Sequence, residues 1–503
     1  ERLLTLRICT GQLFSVISTL SFADFLQKYL LERPKVANYL CEDWPKELFL
    51  PPSSAALAES TRPRGKRRPR TSETAAPSLV EILNLIRSER ATTRQALERE
   101  SELGRAVVAD RLQLLSDLGL VDESELGLAT GGRAPRLVRF SARRGLVLVA
   151  TLDQTAIGVG VSDLSGNLLT EHREAADLTA PASHLAGSLS ALFTWCLERH
   201  ATPTAPWGIS LSVPGTVPTG RDAPFLTATP PVLPAWEGFP LVETLTRQFG
   251  VPVWIRSSVE TMTMGELHAG AGLGLRSMLF IKVGRRIGAG IVCDGQLYRG
   301  AQGAAGLIGA LPVVSDGVTG TLDMMAGSDM IQREGRAAAE DGRSPVLADL
   351  LRRGAEITPI EVSQAAQVGD AAAAAIFSKS GHLIGQVVAT LANALNPEMI
   401  VLSGTLVQTN DNLLAGIREA VYGASHPLVT RDLRIIRSQM GSSAGLVGAS
   451  RVASEALFAP GFLKDWILQG KPTLHPYFDA FRAQADTLGG PPSTTGYSAR
   501  EER

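Results

Sequence analysis

The sequence predicts an α/β protein of two lobes preceded by a winged helix-turn-helix domain. Three observations carry that expectation. Six of the nine residues from Arg62 to Arg70 are Arg or Lys. Three helical patterns joined by a short turn follow directly, which suits helix-turn-helix geometry. From Gly145 onward short apolar runs alternate with helical patterns over about 310 residues, the signature of a layered α/β domain. A chain of 503 residues also has room for about three domains at roughly 100–200 residues each.

Residues 1–60 match no motif; they form an N-terminal extension with no assigned role. Residues 61–77 read as a basic flexible linker, rich in Pro, Ser, Ala and Arg. The winged helix-turn-helix domain is placed at 78–144. Its first helix has Val80, Ile82, Leu83, Leu85 and Ile86 at helical spacing, with Ser78 as N-cap. Thr93–Glu100 gives the second helix, capped by Thr92 or Thr93. Arg105–Leu118 gives the third, closed by Gly119 in the C′ position. Apolar runs around Leu120–Val121 and Leu137–Phe140, flanking the tip Gly131-Gly132-Arg133-Ala134-Pro135-Arg136, read as a β-wing.

In the domain at 145–460, Leu146–Thr151 reads as a buried strand and Ala156–Ser162 as its antiparallel partner, with a turn at Gly166-Asn167. Ile209–Val213, Val251–Ile255, the pair Met278–Val283 and Gly290–Asp294, and Met399–Ser403 are further strands. Ala371–Leu395 is a long Ala-rich helix ending at Asn396-Pro397. Lobe one is expected at 145–265 plus 442–458, and lobe two at 266–441. The tail 461–503 is expected to be largely disordered beyond a weak helical pattern.

Formal net charge is −1, so whole-chain charge selects no partner. Its distribution does more. From Arg62 to Arg144 there are 17 Lys/Arg against 11 Asp/Glu, the local positive excess expected of a nucleic-acid contact. The basic run alone reads equally well as a solvated linker. The four cysteines, Cys9, Cys41, Cys196 and Cys293, have neither metal-ligand spacing nor the density of a disulfide framework, which fits a reducing cytoplasm. Leu13–Leu20 is too short to span a bilayer and lacks a signal-peptide cleavage site.

Several motifs make the chain resemble the ROK family, named for repressors, open reading frames and kinases, over about Ser78–Phe458. They are Ser212-Val213-Pro214-Gly215, Leu233-Pro234-Ala235-Trp236, Asp294-Gly295-Gln296-Leu297-Tyr298-Arg299-Gly300 followed by Gly303-Ala304-Ala305-Gly306, and Leu395-Asn396-Pro397-Glu398-Met399-Ile400-Val401-Leu402-Ser403-Gly404. The resemblance implies an actin-like, hexokinase-like double lobe. In the family's kinases ATP and a sugar sit between the lobes.

Against that pattern the chemical residues depart together. The family's first phosphate hairpin carries Asp then Gly-Gly-Thr. Here Asp153 is followed by Gln154-Thr155-Ala156. The second loop, Gly-Thr-Gly-Ile-Gly in kinases, reads Gly284-Arg285-Arg286-Ile287-Gly288, and bulky side chains fill a space that a backbone cradle needs. Arg285 and Arg286 either attract an anionic ligand or serve as ordinary ion-pair donors. Ser258 stands at the position of the general base, a poor proton acceptor without an activating partner. Glu260 is the alternative acceptor or, more commonly for such a residue, a helix-start carboxylate. The sugar-binding Gly-Glu-Ile-Gly-His motif reads Gly306-Leu307-Ile308-Gly309-Ala310, so its hydrogen-bonding groups are aliphatic. The family's zinc cysteines have no counterpart in Asp316–Asp323, and no metal or cofactor is expected. Asp323 replaces a sugar-contacting Glu. Ser257, Ser258, Glu260, Asp323, Arg285 and Arg286 are the candidate ligand contacts, and no residue is assigned a catalytic role.

The resemblance makes Arg105–Leu118 a recognition helix. The expected DNA contacts are Arg94, Arg105, Ala109, Asp110 and Arg111 on the helices, Arg133 and Arg136 on the wing, and Arg67 and Arg68 in the basic run. The expectation is a cytoplasmic transcriptional regulator, a homo-oligomer on a double-stranded DNA operator, with a sugar or sugar derivative as effector. An active sugar kinase with an appended head and a pure scaffold are the alternatives.

Overall fold

The computed structural model describes residues 75–127, 134–153, 156–177, 179–200, 204–217, 239–476, 478 and 482. They fall within one compact unit, Thr71–Arg503. The N-terminal extension, the basic run with Arg67 and Arg68, the wing tip with Arg133, and Leu233–Trp236 lie outside the described residues.

The head consists of α1 (Ala76–Arg87), α2 (Arg94–Ser101) and α3 (Arg105–Asp117), then the strands β1 (Val121–Asp122) and β2 (Arg139–Phe140). Thr93 caps α2 by accepting from the Ala96 amide at 3.2 Å. Ser78 does not cap α1. That helix starts two residues earlier with Pro77 in its first turn, where the missing N–H is harmless, and the Ser78 hydroxyl instead donates back to the Ala75 carbonyl. Gly119, at φ +70°, closes α3. Its amide and that of Leu120 return to the Ser116 and Leu115 carbonyls, satisfying groups a helix end leaves open. β1 and β2 pair antiparallel, Val121 opposite Phe140.

Two five-stranded sheets follow. The first holds β3 (Leu146–Asp153), β4 (Ala156–Asp163), β5 (Leu168–Ala175), β6 (Pro206–Val213) and β7 (Val253–Ser257), with α4 (Ala182–Arg199), α5 (Leu241–Phe249) and α6 (Ser258–Ala269). The second holds β8 (Met278–Lys282), β9 (Gly288–Cys293), β10 (Gln296–Tyr298), β13 (Met399–Ser403) and β14 (Arg434–Arg437). Between β10 and β13 lie the hairpin β11 (Pro312–Ser315) and β12 (Val318–Thr321), and the helices α7 (Leu322–Ala326), α8 (Ser328–Glu340), α9 (Pro345–Arg352), α10 (Pro359–Gln367) and α11 (Ala371–Leu395). The chain continues through α12 (Thr405–Thr409), α13 (Asp411–Ala424), α14 (Pro427–Thr430), α15 (Ser443–Leu457) and α16 (Pro460–Trp466). The sheet orders are β5-β4-β3-β6-β7 and β10-β9-β8-β13-β14. Each has three antiparallel strands followed by two parallel ones, so the second lobe repeats the first.

β3 shows why its residues form a central strand. Leu146, Leu148, Ala150 and Leu152 face one core, while Val147 and Val149 face another. An unbroken apolar run is what a strand covered on both faces requires. The second of those cores is continuous with the head. Leu79, Ile82, Leu83, Leu97, Val108, Leu112 and Leu115 share it with Val147, Trp207, Trp254 and Leu446 of lobe one.

The first part of the tail, where the sequence carries its weak helical pattern, includes a helix. α16 buries Phe462, Leu463 and Trp466 in the same core. A weak helical pattern is sufficient there because packing, not propensity, supplies most helix stability. Trp466 stands edge-on to Trp207 at 5.6 Å and to Phe458 at 5.8 Å, and Phe458 meets Phe140 of β2 at 5.2 Å.

His475 ends this anchor, 2 % exposed, stacked on Phe462 at 4.4 Å and 3.4 Å from Asp465. Burial lowers its pKa against the pull of Asp465. The folded chain therefore favours the neutral ring. Stability from this group is full above the unfolded value of about 6.5 and declines as pH falls below it toward the folded pKa. The expected result is a melting temperature that drops faster below about pH 6.5 in the wild type than in His475→Gln. Equal slopes in the two proteins would count against this account.

Candidate nucleic-acid interface and interlobe site

On the head, α3 buries Val108, Leu112 and Leu115 and turns Arg105, Ala106, Asp110 and Gln113 to solvent. Arg105 sits in the first turn, after the N-cap Gly104, and makes no ion pair among the described residues. Ala109 is half-buried. Arg111 is placed differently from the expected free contact. Its Nε donates to Ser78 Oγ at 2.8 Å and its Nη1 to the neighbouring Asp110, leaving 16 % of the side chain exposed. It braces α3 against α1. Arg94 pairs with Glu123 at 2.6 Å. Arg136 is exposed, and its backbone forms an isolated antiparallel bridge with Leu126. Gln113, bonded to Asp117 at 2.8 Å, escaped sequence reasoning, although its spacing from Asp110 puts it on the same face.

At the start of α6, Ser257 is the N-cap. Its hydroxyl accepts from the Glu260 amide at 3.2 Å, and Glu260 Oε2 accepts from the Ser257 amide at 3.0 Å. This capping box makes Glu260 the third residue of a helix. Its other oxygen accepts from Arg299 Nε. Both carboxylate oxygens are engaged, so Glu260 is a helix-start carboxylate held by an arginine. Ser258 Oγ lies 3.0 Å from Lys282 Nζ. Lys282 closes the otherwise apolar strand β8, and burial lowers its pKa while Asp153 works the other way. A charge ending a buried apolar run was the available signal for it.

The two loop arginines are ion-pair donors. Arg285 Nε reaches Asp329 at 3.0 Å and Arg286 Nη1 reaches Asp323 at 3.1 Å. Asp323 Oδ1 accepts from the Ile287 amide at 2.7 Å, so this carboxylate pins the loop. Leu307 is exposed where a sugar ligand would be required. The hairpin β11–β12 offers Asp316, held by Lys379 at 3.2 Å, and neither thiol nor imidazole. The family's structural zinc does not fit these residues.

The junction between head and lobe one is charged as well as apolar. Arg87, in the last turn of α1, lies over the Phe458 ring at 3.9 Å and donates to Ser454 at 2.9 Å and Asn84 at 3.1 Å. Burial pushes its pKa down to about 10. Glu455 on α15 interacts with Arg87, Arg451, Arg256 and His268, the last at 3.6 Å from the final turn of α6. One helix therefore begins at the interlobe site and ends against the residue that faces the head. A groove of about 890 Å³ runs along this seam, lined by Arg87, Arg451, Glu455 and Lys464 among others.

The ROK family profile matches residues 152–456. A glucokinase of Halalkalibacterium halodurans is 30% identical over 248 residues, covering 48% of this chain and 74% of that protein. The xylose repressor of Caldicellulosiruptor bescii is 25% identical over 400 residues, covering 76% of this chain and 96% of that protein. The DNA-binding transcriptional repressor Mlc of Escherichia coli is 24% identical, covering 77% and 95%. Among solved structures, a ROK family transcriptional regulator homologous to E. coli Mlc superposes with a TM-score of 0.62 at 21% identity, covering 80% of this chain and all of that one. The glucokinase match covers about half of the chain, whereas the repressor matches cover about three quarters of it. With two sheets of the same topology and a family profile that spans both, this chain belongs to the ROK family.

Proposed function

We propose that the chain is a DNA-binding transcriptional regulator, acting as a repressor, whose two-lobed domain binds an effector and does not phosphorylate it. The observation that carries this is Ser258 at the general-base position, with Lys282 donating to its oxygen. A hydroxyl that accepts from a cation is no proton acceptor for a sugar alcohol. The length of the match to the repressors, which reaches past the lobes into the head, supports the same reading.

In this reading the head is a winged helix-turn-helix domain. α3 enters the major groove, Arg105 reads a base edge or holds a phosphate, and Arg136 serves the wing with Arg133. The basic run containing Arg67 and Arg68 adds phosphate contacts. Two copies of the chain occupy paired half-sites in the cytoplasm, and a sugar or sugar derivative shifts the population between two lobe arrangements. Closure reaches the head through α6, His268, Glu455 and Arg87.

The test is binding of the full chain to its own promoter over a salt series. Affinity should fall steeply with salt and exceed that for unrelated DNA. Arg105→Ala should lose about 1–3 kcal/mol of promoter affinity and relax discrimination at one base position. Equal affinity for any DNA at physiological salt sinks the reading. The similarity to a glucokinase favours one rival, an active kinase. A coupled ATP-turnover assay over a sugar panel should give no phosphorylation, and robust turnover would establish the rival.

A further inference from the structure

The cations around the first turn of α6 outnumber the acids that hold them. Arg256 directly precedes the N-cap, Lys282 reaches the first helical residue, and Arg299 reaches the third. Glu260 is engaged by Arg299, and Asp153 stands 3.6 Å from Arg173. Among the described residues neither Arg256 nor Lys282 makes an ion pair. Arg256 Nη1 donates to the carbonyl of its own neighbour Ile255 at 2.9 Å, and Lys282 donates to a neutral hydroxyl. Arg299 Nη2 is buried without a hydrogen-bond partner. Burial together with repulsion from Arg299 brings Arg256 down to about 10, against the attraction of Glu260 and Glu455.

The helix end itself adds positive partial charge. Its capping box consumes the amides of Ser257 and Glu260, and Ser258 and Val259 begin the helix between them. Cations withdrawn from water without counter-charge are unfavourable unless a partner arrives. The loop arginines that the sequence suggested for this purpose are already matched to Asp323 and Asp329.

We propose that the interlobe site takes an anionic ligand, a sugar-sized polyol carrying a carboxylate or phosphate, whose acidic group docks on Lys282 and Ser258 at the N-terminus of α6. The inference rests on the effector-binding reading above and names the chemistry of its ligand. A neutral sugar would leave Lys282 with only the attraction of Asp153, which burial outweighs. An acidic one supplies a counter-ion and gains charge-assisted hydrogen bonds.

The test uses the full chain with four probes: glucose, gluconate, glucose 6-phosphate and inorganic phosphate. Binding is read by calorimetry and by melting temperature. At least one acidic sugar should bind ten times or more tighter than glucose, with inorganic phosphate competing at millimolar concentration. The gluconate and glucose 6-phosphate arms decide between carboxylate and phosphate. Lys282→Met keeps the stem, removes the charge, and should abolish the preference while melting no lower than the wild type. Ser258→Ala, a smaller change, should weaken the acidic probe several-fold. Glucose binding as tightly as both acidic sugars overturns the proposal. So does silence from all three anions, or a preference that survives Lys282→Met. Promoter binding is measured on the same preparation without probe. If it persists while anions fail, this inference alone falls; if it fails, the regulator reading falls with it.

Discussion

Trp466→Ala should destabilise the folded chain by about 3–5 kcal/mol, the range for removing a buried Trp side chain. The side chain is fully buried, and its Nε1 donates to the Leu457 carbonyl at 3.1 Å. Alanine leaves a large void between Trp207 of β6 and Phe458 at the end of α15, and it strands the Leu457 carbonyl. The expected loss extends beyond stability. Trp466 lies in the core that joins the head to lobe one, so promoter affinity should fall in the same variant although the side chain is fully buried. Urea unfolding followed by tryptophan fluorescence measures the first effect, and anisotropy on labelled promoter measures the second. Calorimetry of the wild type should show the head melting together with lobe one. A separate, earlier transition for the head would mean that the shared core does not couple them, and intact promoter binding in the variant would say the same.

The central strands and the longest helix were legible in the sequence for local reasons. Met399–Leu402 is an unbroken apolar run, and the whole strand Met399–Ser403 is buried. Ala371–Leu395 carries a helical pattern between an Asp370 cap and Asn396, whose φ of 45° stops the helix before Pro397. β5 was missed because it lies at the edge of its sheet, where its side chains stay exposed or half-buried and the apolar signal is weak. The anchoring role of α16 was missed because it depends on partners 200 and more residues away. Trp207 and Trp254 cannot be assigned to Trp466 and Phe462 by periodicity.

The interlobe site was partly legible. Ser258 in place of an acid could be read directly from the motif. Glu260 as a helix-start carboxylate was legible too, and the capping box with Ser257 puts it there. Lys282 carried a signal, the charge that ends an apolar run, but its partner Ser258 lies 24 positions earlier and on a different element, so the pairing itself was not legible.

Gly448→Ala should be among the most damaging small substitutions in the chain. A Cβ at Gly448 of α15 would lie 1.6 Å from the Thr261 carbonyl oxygen of α6, and one at Gly265 of α6 would lie 2.1 Å from the Ala444 carbonyl oxygen. The obstacle is backbone, so no rotamer change relieves it, and the two helices must separate. Overpacking of this kind commonly costs about 1–3 kcal/mol, and a backbone clash belongs at the upper end. The functional effect follows from what the two helices carry. α6 begins with Ser257, Ser258 and Glu260 and ends at His268, while α15 presents Ser454 and Glu455 toward Arg87 of the head. Pushing α15 away should lengthen the His268–Glu455 contact and weaken the effect of any effector on promoter affinity by more than it weakens DNA binding itself. Gly423→Ala in α13 is the control, because nothing lies within 4 Å of its Cβ and an exposed helical Gly→Ala change gains up to about 1 kcal/mol. Chemical denaturation of both variants decides the matter. Equal stability of Gly448→Ala and the wild type would show that α6 and α15 can part without penalty, and coupling between effector site and head would then have to run by another route.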